Sequence, residues 1–375
     1  MVTLADIARR LGVSTMTVSR ALNGRDGVSE ELRRRVLEEA ERLGYSKNLL
    51  SVALRRGKTR TVGLCVFDLS FPYANELVRE VDHLARAAGY EVLVNCSHGD
   101  AKEERENVEA FLRRRVDGML IVPVASGHNV QFFKRLAYRG VPLVFVDRYL
   151  AGCPVDYVAT DNIQGGFLAA SHLLELGHRR IAFVPGPEID CIAVQDRLVG
   201  AERALAPYGD AANLTVLQPQ RPVPRPEDNG YEAVRDYLRG GGRSEGGRLT
   251  AVFAVNDSVA MGVVAALREH GVRVPEEMSV VGFDDIWMAK YFQPPLTTIR
   301  QDAQGIGQSS IRMLLELMDG RRPSGRRLLL EPVLVERATT APVAGSGAEE
   351  SGADGARSTA GAPGHRSSTE AVTQR

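Results

Sequence analysis

Apolar residues recur at helical spacing from the N-terminus to Tyr45, at Leu4, Ile7, Ala8 and Leu11 and again at Val36, Leu37, Ala40 and Leu43, which predicts an all-helical head. The texture changes at Thr61. From there short apolar runs alternate with amphipathic segments: TVGLCVF, YEVLVN, GMLIVPV, PLVFVD, RIAFVPG, TAVFAVND and SVVGFDD. Such alternation predicts an α/β body built on parallel sheets with crossover helices. Four of the runs lie between residues 61 and 160 and three between 162 and 287, so two doubly wound subdomains with a cleft between them are expected. QPQRPVPRPEDNG and RGGGRSEGG read as loops from their breaker residues. After Ala341 the chain is Ala, Gly, Ser and Thr with scattered charge, and 341–375 is expected to be a disordered tail.

Charge separates the head from the body. The chain is neutral overall, yet residues 1–60 hold thirteen Lys or Arg against seven Asp or Glu, leaving 34 against 40 in the remainder. A basic head on an acidic body points to a polyanionic partner for the head. Cys65, Cys96, Cys153 and Cys191 show no metal-ligand spacing and read as reduced thiols, so no metal and no cofactor are expected. No apolar run reaches the ~18 residues a membrane helix needs, and MVTLADIARR lacks a signal-peptide core, so a cytoplasmic protein without membrane contact is expected.

Within the head, LADIARRLGVSTMTVSRALN has the construction of a helix-turn-helix. Small Ala8 permits close helix approach, Gly12 makes the turn, and Val18 packs the second helix back. Thr3 with Asp6, Ser14 and Ser29 are the predicted N-caps. In this geometry the second helix enters the major groove of double-stranded DNA and presents Thr15, Met16, Thr17 and Arg20 to base edges. Arg20 can donate two hydrogen bonds to guanine, and Thr15 and Met16 can touch thymine methyl groups. Ser14, Ser19 and Asn23 fit phosphate contacts or caps, and Arg33, Arg34 and Arg35 a solvated face.

The run TLADIARRLGVSTMTVSRALNG, followed by RLGYSKNLLSVALRRGKTRTVGL, resembles the lactose-repressor (LacI/GalR) family. TDNIQGG, HLLELGHRRIAFVPG, VFAVNDSVAMG, GVRVPEEMSVVGFDD and PPLTTIRQD carry the likeness to about Arg337. The resemblance implies a helix-turn-helix domain over 1–46, a hinge over 47–60 and a ligand-sensing and dimerising domain over 61–340. Its subdomains, resembling periplasmic sugar-binding proteins, would span 61–160 plus 290–322 and 162–288 plus 325–340. It also implies a homodimer on a palindromic operator, and a hinge helix that wedges Leu54 into a minor-groove step. The hinge departs from the family pattern, with Lys47 at the common proline and Ser51, Val52 and Ala53 at the common Ala-Arg-Ser.

Ligands of doubly wound sheets bind outside the carboxyl ends of the strands. Those ends are polar here, at Asp68, Ser97, Asp147 with Arg148, Asn256 with Asp257, and Asp284 with Asp285. Carboxylates and amides pair with hydroxyls, while Tyr73 or Trp287 can stack on a sugar ring, so a carbohydrate effector is expected. The resemblance implies ligand contacts for Arg197, Asn256 and Asp284 and a pocket lining for Tyr73 and Asp147. Asp257 and Asp285 read rather as helix caps, and Asp161 with Asn162 as turn support. Arg225, where many family members have an aromatic residue, would admit an anionic ligand.

Three function classes compete. A ligand-responsive regulator, repressing by default, accounts for both halves. A sugar-binding receptor without a regulatory role leaves the head unexplained. An enzyme on a nucleotide-binding sheet would need GxGxxG or GxxxxGK[ST] after a strand, and neither occurs. His83, His172, His178 and His270 read as surface or capping residues.

Overall fold

The computed structural model describes residues 2–45, 58–124, 127–242, 247–321 and 325–343. In the head, α1 (Leu4–Leu11), α2 (Thr15–Leu22) and α3 (Glu30–Arg42) enclose a small core of Ile7, Ala8, Val18, Ala21, Val36 and Ala40. Leu37, expected inside, is half exposed on the outer face of α3. The helix starts follow the predicted caps. The Asp6 carboxylate accepts from Thr3 N and Oγ1, which holds its pKa below the usual carboxylate value, and Ser14 and Ser29 accept from Thr17 N and Leu32 N. Gly12, at φ 67, takes the left-handed conformation that ends α1 and admits the turn to α2. The hinge residues Lys47 to Ala53, with Leu54 and its wedge role, lie outside the described residues.

The body divides into two compact units, the first including residues to Asn162, Glu188–Asp196 and Gln301–Pro332, the second Ile163–Pro187, Arg197–Arg300 and the chain from Val333. In unit 1, β1 (Thr61–Val66), α4 (Pro72–Ala87), β2 (Glu91–Cys96), α5 (Ala101–Arg113), β3 (Gly118–Ile121), α6 (Val130–Tyr138), β4 (Leu143–Val146) and β5 (Asp156–Thr160) alternate as predicted. α7 (Asn162–Glu175) then leads into unit 2, which holds β6 (Arg180–Val184), α8 (Ile192–Leu205) past its first residues, β7 (Asn213–Val216), α9 (Pro226–Arg239), β8 (Ala251–Ala254), α10 (Asp257–Glu269), β9 (Ser279–Asp284) and β10 (Thr297–Arg300). α11 (Ala303–Met318) and β11 (Arg327–Leu330) return to unit 1, and β12 (Val333–Val335) to unit 2. Each unit has a six-stranded sheet, ordered β11-β5-β4-β3-β1-β2 and β12-β10-β9-β8-β6-β7. Among the described residues only β12 runs antiparallel, against β10.

Several expectations are corrected. The expected bounds placed 290–322 with the first subdomain and 325–340 with the second. Strand pairing reverses part of this, because β10 is bound to β9 and β12 while β11 is bound to β5, so the units exchange chain at residues 300/301 and 332/333. β5 escaped notice because it opens on Asp156, a turn-like residue in sequence. That carboxylate is fully buried and accepts from Arg326 N and Nε at 3.0 and 2.7 Å. PEDNG is not loop but the first turn of α9, where Pro226 and the acids Glu227 and Asp228 suit a helix N-terminus.

Residues 341–343, expected in the tail, pair with the body, and two histidines are not at the surface. Ala341 N donates to Ser279 Oγ, and Val343 N to Leu176 O. His178 is buried beneath this segment, with Nδ1 3.0 Å from Thr250 Oγ1 and Nε2 2.9 Å from Ser279 Oγ and 3.1 Å from Ala341 O. His172 is buried likewise, 2.9 Å from Thr340 Oγ1. Burial lowers the pKa of both, which favours neutral rings that can share hydrogen bonds with hydroxyls.

Candidate functional site

On α2 the inward positions Val18 and Ala21 are buried in the head core, which turns Thr15, Met16 and Arg20 to solvent. Met16 is 64% exposed, an unusual state for a large apolar side chain and one that a base-edge contact would relieve. Thr17 is half-buried with its hydroxyl 2.9 Å from Ser14 Oγ, so part of its bonding capacity is engaged in the cap. Asn23 ends the helix and donates from Nδ2 to Ser19 O at 2.6 Å, which ties two of the three expected phosphate residues to the helix end. Arg34 and Arg35 are exposed as expected, but Arg33 donates to Arg25 O at 3.1 Å and closes the loop after α2.

In unit 1 the end of β4 carries Asp147 and Arg148. Asp147 has φ 68, a left-handed conformation that costs a non-glycine residue and turns its side chain away from the strand path. The Arg148 guanidinium makes two bonds to Glu188, at 3.1 and 2.8 Å, lies 3.4 Å from Asp147, and sits 4.9 Å above the Phe67 ring. Two carboxylates therefore answer one guanidinium, and the arginine is held as a fixed fork. Beside it Tyr149 donates to Asp196 at 3.1 Å. Arg148, Tyr149, Leu150, Asp190 and Cys191 contribute to the lining of a cavity of ≈ 180 Å³. Burial pushes the Cys191 thiol up, so it is a protonated wall residue there. Tyr73 is buried in the first turn of α4. Ser97 is also buried and donates to Val66 O at 3.3 Å, and Asp68 accepts from Ser70 N, so both serve the loops after their strands.

Unit 2 repeats the arrangement on β9, which occupies the same place in its sheet as β4. Asp284, at φ 109, and Asp285, at φ 54, both take left-handed conformations. Arg197 is buried, donates to Val255 O at 2.7 Å, lies 3.6 Å above the Phe283 ring, and is 3.9 Å from Asp284 Oδ1. Three expected effector residues thus converge, because Val255 directly precedes Asn256. The crossing of α7 and α8 sets the arginine's backbone: a Cβ on Gly166 would lie 2.0 Å from Arg197 O, and one on Gly200 2.0 Å from Ile163 O.

Asn256 also caps α10 by accepting from Val259 N at 2.8 Å, a role the sequence had assigned to Asp257. Asp257 is instead fully buried and accepts from Thr298 Oγ1 at 2.6 Å and Ile286 N at 2.9 Å. Burial, and then the charge of Asp284, push its pKa upward. Nor is Asp285 a cap: Arg300 and Arg337 hold it at 2.7 and 2.6 Å, so the adjacent acids face different partners. Trp287 is 61% exposed, edge-on to Tyr291 at 6.4 Å, and Arg225 stands exposed at the N-cap of α9.

Glu188, Asp196 and Phe67 were not singled out from sequence. Glu188 follows β6 by four residues, past the apolar run that was read as RIAFVPG, and the strand-end rule stops short of it. Among the described residues no cluster of three His, Cys, Asp or Glu is placed to hold a metal ion, and no helix is long and apolar enough to cross a membrane.

Known proteins share this architecture along nearly the whole chain. A family model described as bacterial regulatory proteins, lacI family, matches residues 3–48, and one described as periplasmic binding protein-like domain matches 170–340. The HTH-type transcriptional repressor PurR of Pectobacterium carotovorum is 31% identical over 346 residues, 91% of this chain and 97% of that protein. The ribose operon repressor of Haemophilus influenzae is 31% identical over 339 residues, 90% of this chain and 98% of its own. Among solved structures, the lac repressor dimer bound to operator and the anti-inducer ONPF superposes with a TM-score of 0.76 at 29% identity, covering 91% of this chain and 99% of that one. The complex of the transcriptional regulator CelR with cellobiose gives 0.65 at 30% identity, covering 90% and 100%.

Proposed function

The chain belongs to the lacI family of bacterial regulatory proteins, and from that premise we propose that it is a DNA-binding transcriptional repressor whose operator affinity is set by a small metabolite. The observation that carries the reading is the pairing, in one chain, of an exposed α2 face on a capped helix-turn-helix with an arginine set beside a left-handed strand-end aspartate in each unit, Arg148 by Asp147 and Arg197 by Asp284. The helix reads one half-site, so the active species is a homodimer on a palindromic operator in the cytoplasm. The relatives are transcriptional repressors, and this chain likewise works by binding, not by catalysis.

For the effector, unit 2 supplies acceptors from Asp284, donors from Arg197 and an amide from Asn256, a set suited to hydroxyls or the polar edge of a nucleobase. In unit 1 Asp147, Arg148 and Tyr73 are the proposed contacts, and in unit 2 Trp287 offers an exposed aromatic face. Ribose, cellobiose, nucleobases and sugar phosphates form a short panel for thermal unfolding of the purified chain. One class is expected to raise the transition, by about 2.7 kcal/mol of added stability at a hundredfold excess over Kd. Arg197→Ala and Asp284→Asn should each remove most of that rise. A flat response across the panel, or an equal rise in both variants, would contradict the assignment.

A further inference from the structure

The segments that lead into the strands of unit 1 carry a concentration of positive charge that neither the sensing site nor the reading helix uses. Lys58 and Arg60 lead into β1, Arg114 and Arg115 into β3, and Arg135 and Arg139 into β4. All six are exposed. Glu91 and Asp117 lie at the same end, but Asp117 accepts from Thr59 N and Arg60 N at 2.7 and 2.8 Å, which engages its carboxylate. Lys58 lies 3.5 Å from Asp319, and Arg60 is over the Tyr90 ring. Among the described residues Arg114, Arg115, Arg135 and Arg139 make no ion pair. At the far ends of β1 and β4 stand Asp68 and Asp147, the latter beside Arg148.

Helix C-termini favour bases, and some of this excess answers that preference. Unit 2 shows how much. Its corresponding segments carry Arg179, Arg180, Arg248, Arg268 and Arg273 but mix them with Asp210, Glu269, Glu276 and Glu277, and Arg273 is 3.2 Å from Glu277. The uncompensated excess belongs to unit 1, the unit whose first strand follows the DNA-reading head in sequence. From Tyr45, at the end of the head, to Lys58 is thirteen positions, which a chain can span by at most about 45 Å.

We propose that this end of unit 1 is a second DNA-contacting surface, which takes the phosphate backbone of the duplex beyond the operator half-sites. The proposal rests on the DNA-binding reading above. Guanidinium groups bind phosphate oxygens in a bidentate manner and without regard to sequence, so the surface adds affinity and orientation and leaves base reading to α2. Its reach corresponds to roughly a dozen base pairs past the head's own footprint.

The test uses the full-length protein and two mixed-sequence duplexes, one of about 16 base pairs that covers the head alone and one of about 60, with affinity followed against salt. The variant R114Q/R115Q/R135Q/R139Q is expected to bind the long duplex about tenfold more weakly at low salt. The slope of log affinity against log salt should fall by about 0.9 for each phosphate that the variant no longer neutralises. Binding to the short duplex should not change, and the corresponding lysine variant should keep most of the affinity for the long one. Unchanged binding to both duplexes would overturn the proposal, including the case in which the glutamine variant loses affinity for polyglutamate instead, which would mark an acidic protein as the partner. Equal loss on both would overturn it too, by placing the effect in the head. If the parent protein bound neither duplex, the DNA-binding reading would itself fail, a result distinct from either.

Discussion

Replacing Arg20 by alanine is expected to cut sharply the preference of the protein for its operator over mixed-sequence DNA while leaving salt-sensitive nonspecific binding in place. Arg20 is exposed on the same face of α2 as Met16, one helical turn further on, and its carbonyl, not its guanidinium, closes the turn to Arg25. A bidentate contact from such an arginine to guanine discriminates by about 1–3 kcal/mol. A homodimer applies it at both half-sites, so the preference should fall by roughly thirtyfold or more. Ser14, Ser19 and Asn23 hold the helix ends and would be untouched. Competition of labelled operator against mixed-sequence duplex measures the effect, and an equal loss on both would assign Arg20 to phosphate.

The second large effect is on stability. Gly262, in the middle of α10, faces α9 so closely that a Cβ would lie 1.8 Å from Glu227 O and 2.7 Å from Tyr231 N, and Gly230 on α9 is matched against Val259 O at 2.2 Å. Both near atoms are backbone, so neither can swing aside. Gly262→Ala must separate two helices that cover the sheet of unit 2, and overpacking of this kind costs about 3 kcal/mol. A fall of roughly 6–12 °C in the thermal midpoint is expected. Gly240, at the end of α9, has φ −73 and finds its nearest atoms at 3.4 Å, so Gly240→Ala should leave the midpoint unchanged or slightly raised. Similar midpoints for the two variants would show that the close crossing is not what requires glycine at 262.

The head was legible because each of its rules is local. Thr3 with Asp6, Gly12, Ser14 and Ser29 occupy fixed offsets around helices whose apolar stripe is short and regular. The core strands were legible because they are buried on both faces and read as continuous apolar runs. What sequence pattern could not show was pairing at a distance. β11 and β12 are short, partly exposed edge strands, and only their partners β5 and β10 decide which sheet each joins. β5 begins on a buried acid whose stabilising Arg326 is 170 positions away. The same limit applies to the site residues. Arg197 came from family likeness and Asp284 from its strand end as well, and their neighbourhood follows from the fold. Glu188 is visible only once Arg148 is seen to need an anion. His178 misled because burial among Thr250, Ser279 and Ala341 leaves no trace in its own helix-end sequence.

Control of DNA binding by a metabolite is tested most directly by measuring operator affinity with and without the panel compound that stabilises the protein, using the operator selected by the full-length chain from a random duplex library. Linkage between the two sites should change that affinity by about 5- to 150-fold in one direction, and the operator should change the compound's affinity by the same factor. In Arg197→Ala the compound should have no effect while operator binding persists. An operator affinity indifferent to a compound that demonstrably binds the protein, or a shift that survives unchanged in Arg197→Ala, would contradict it.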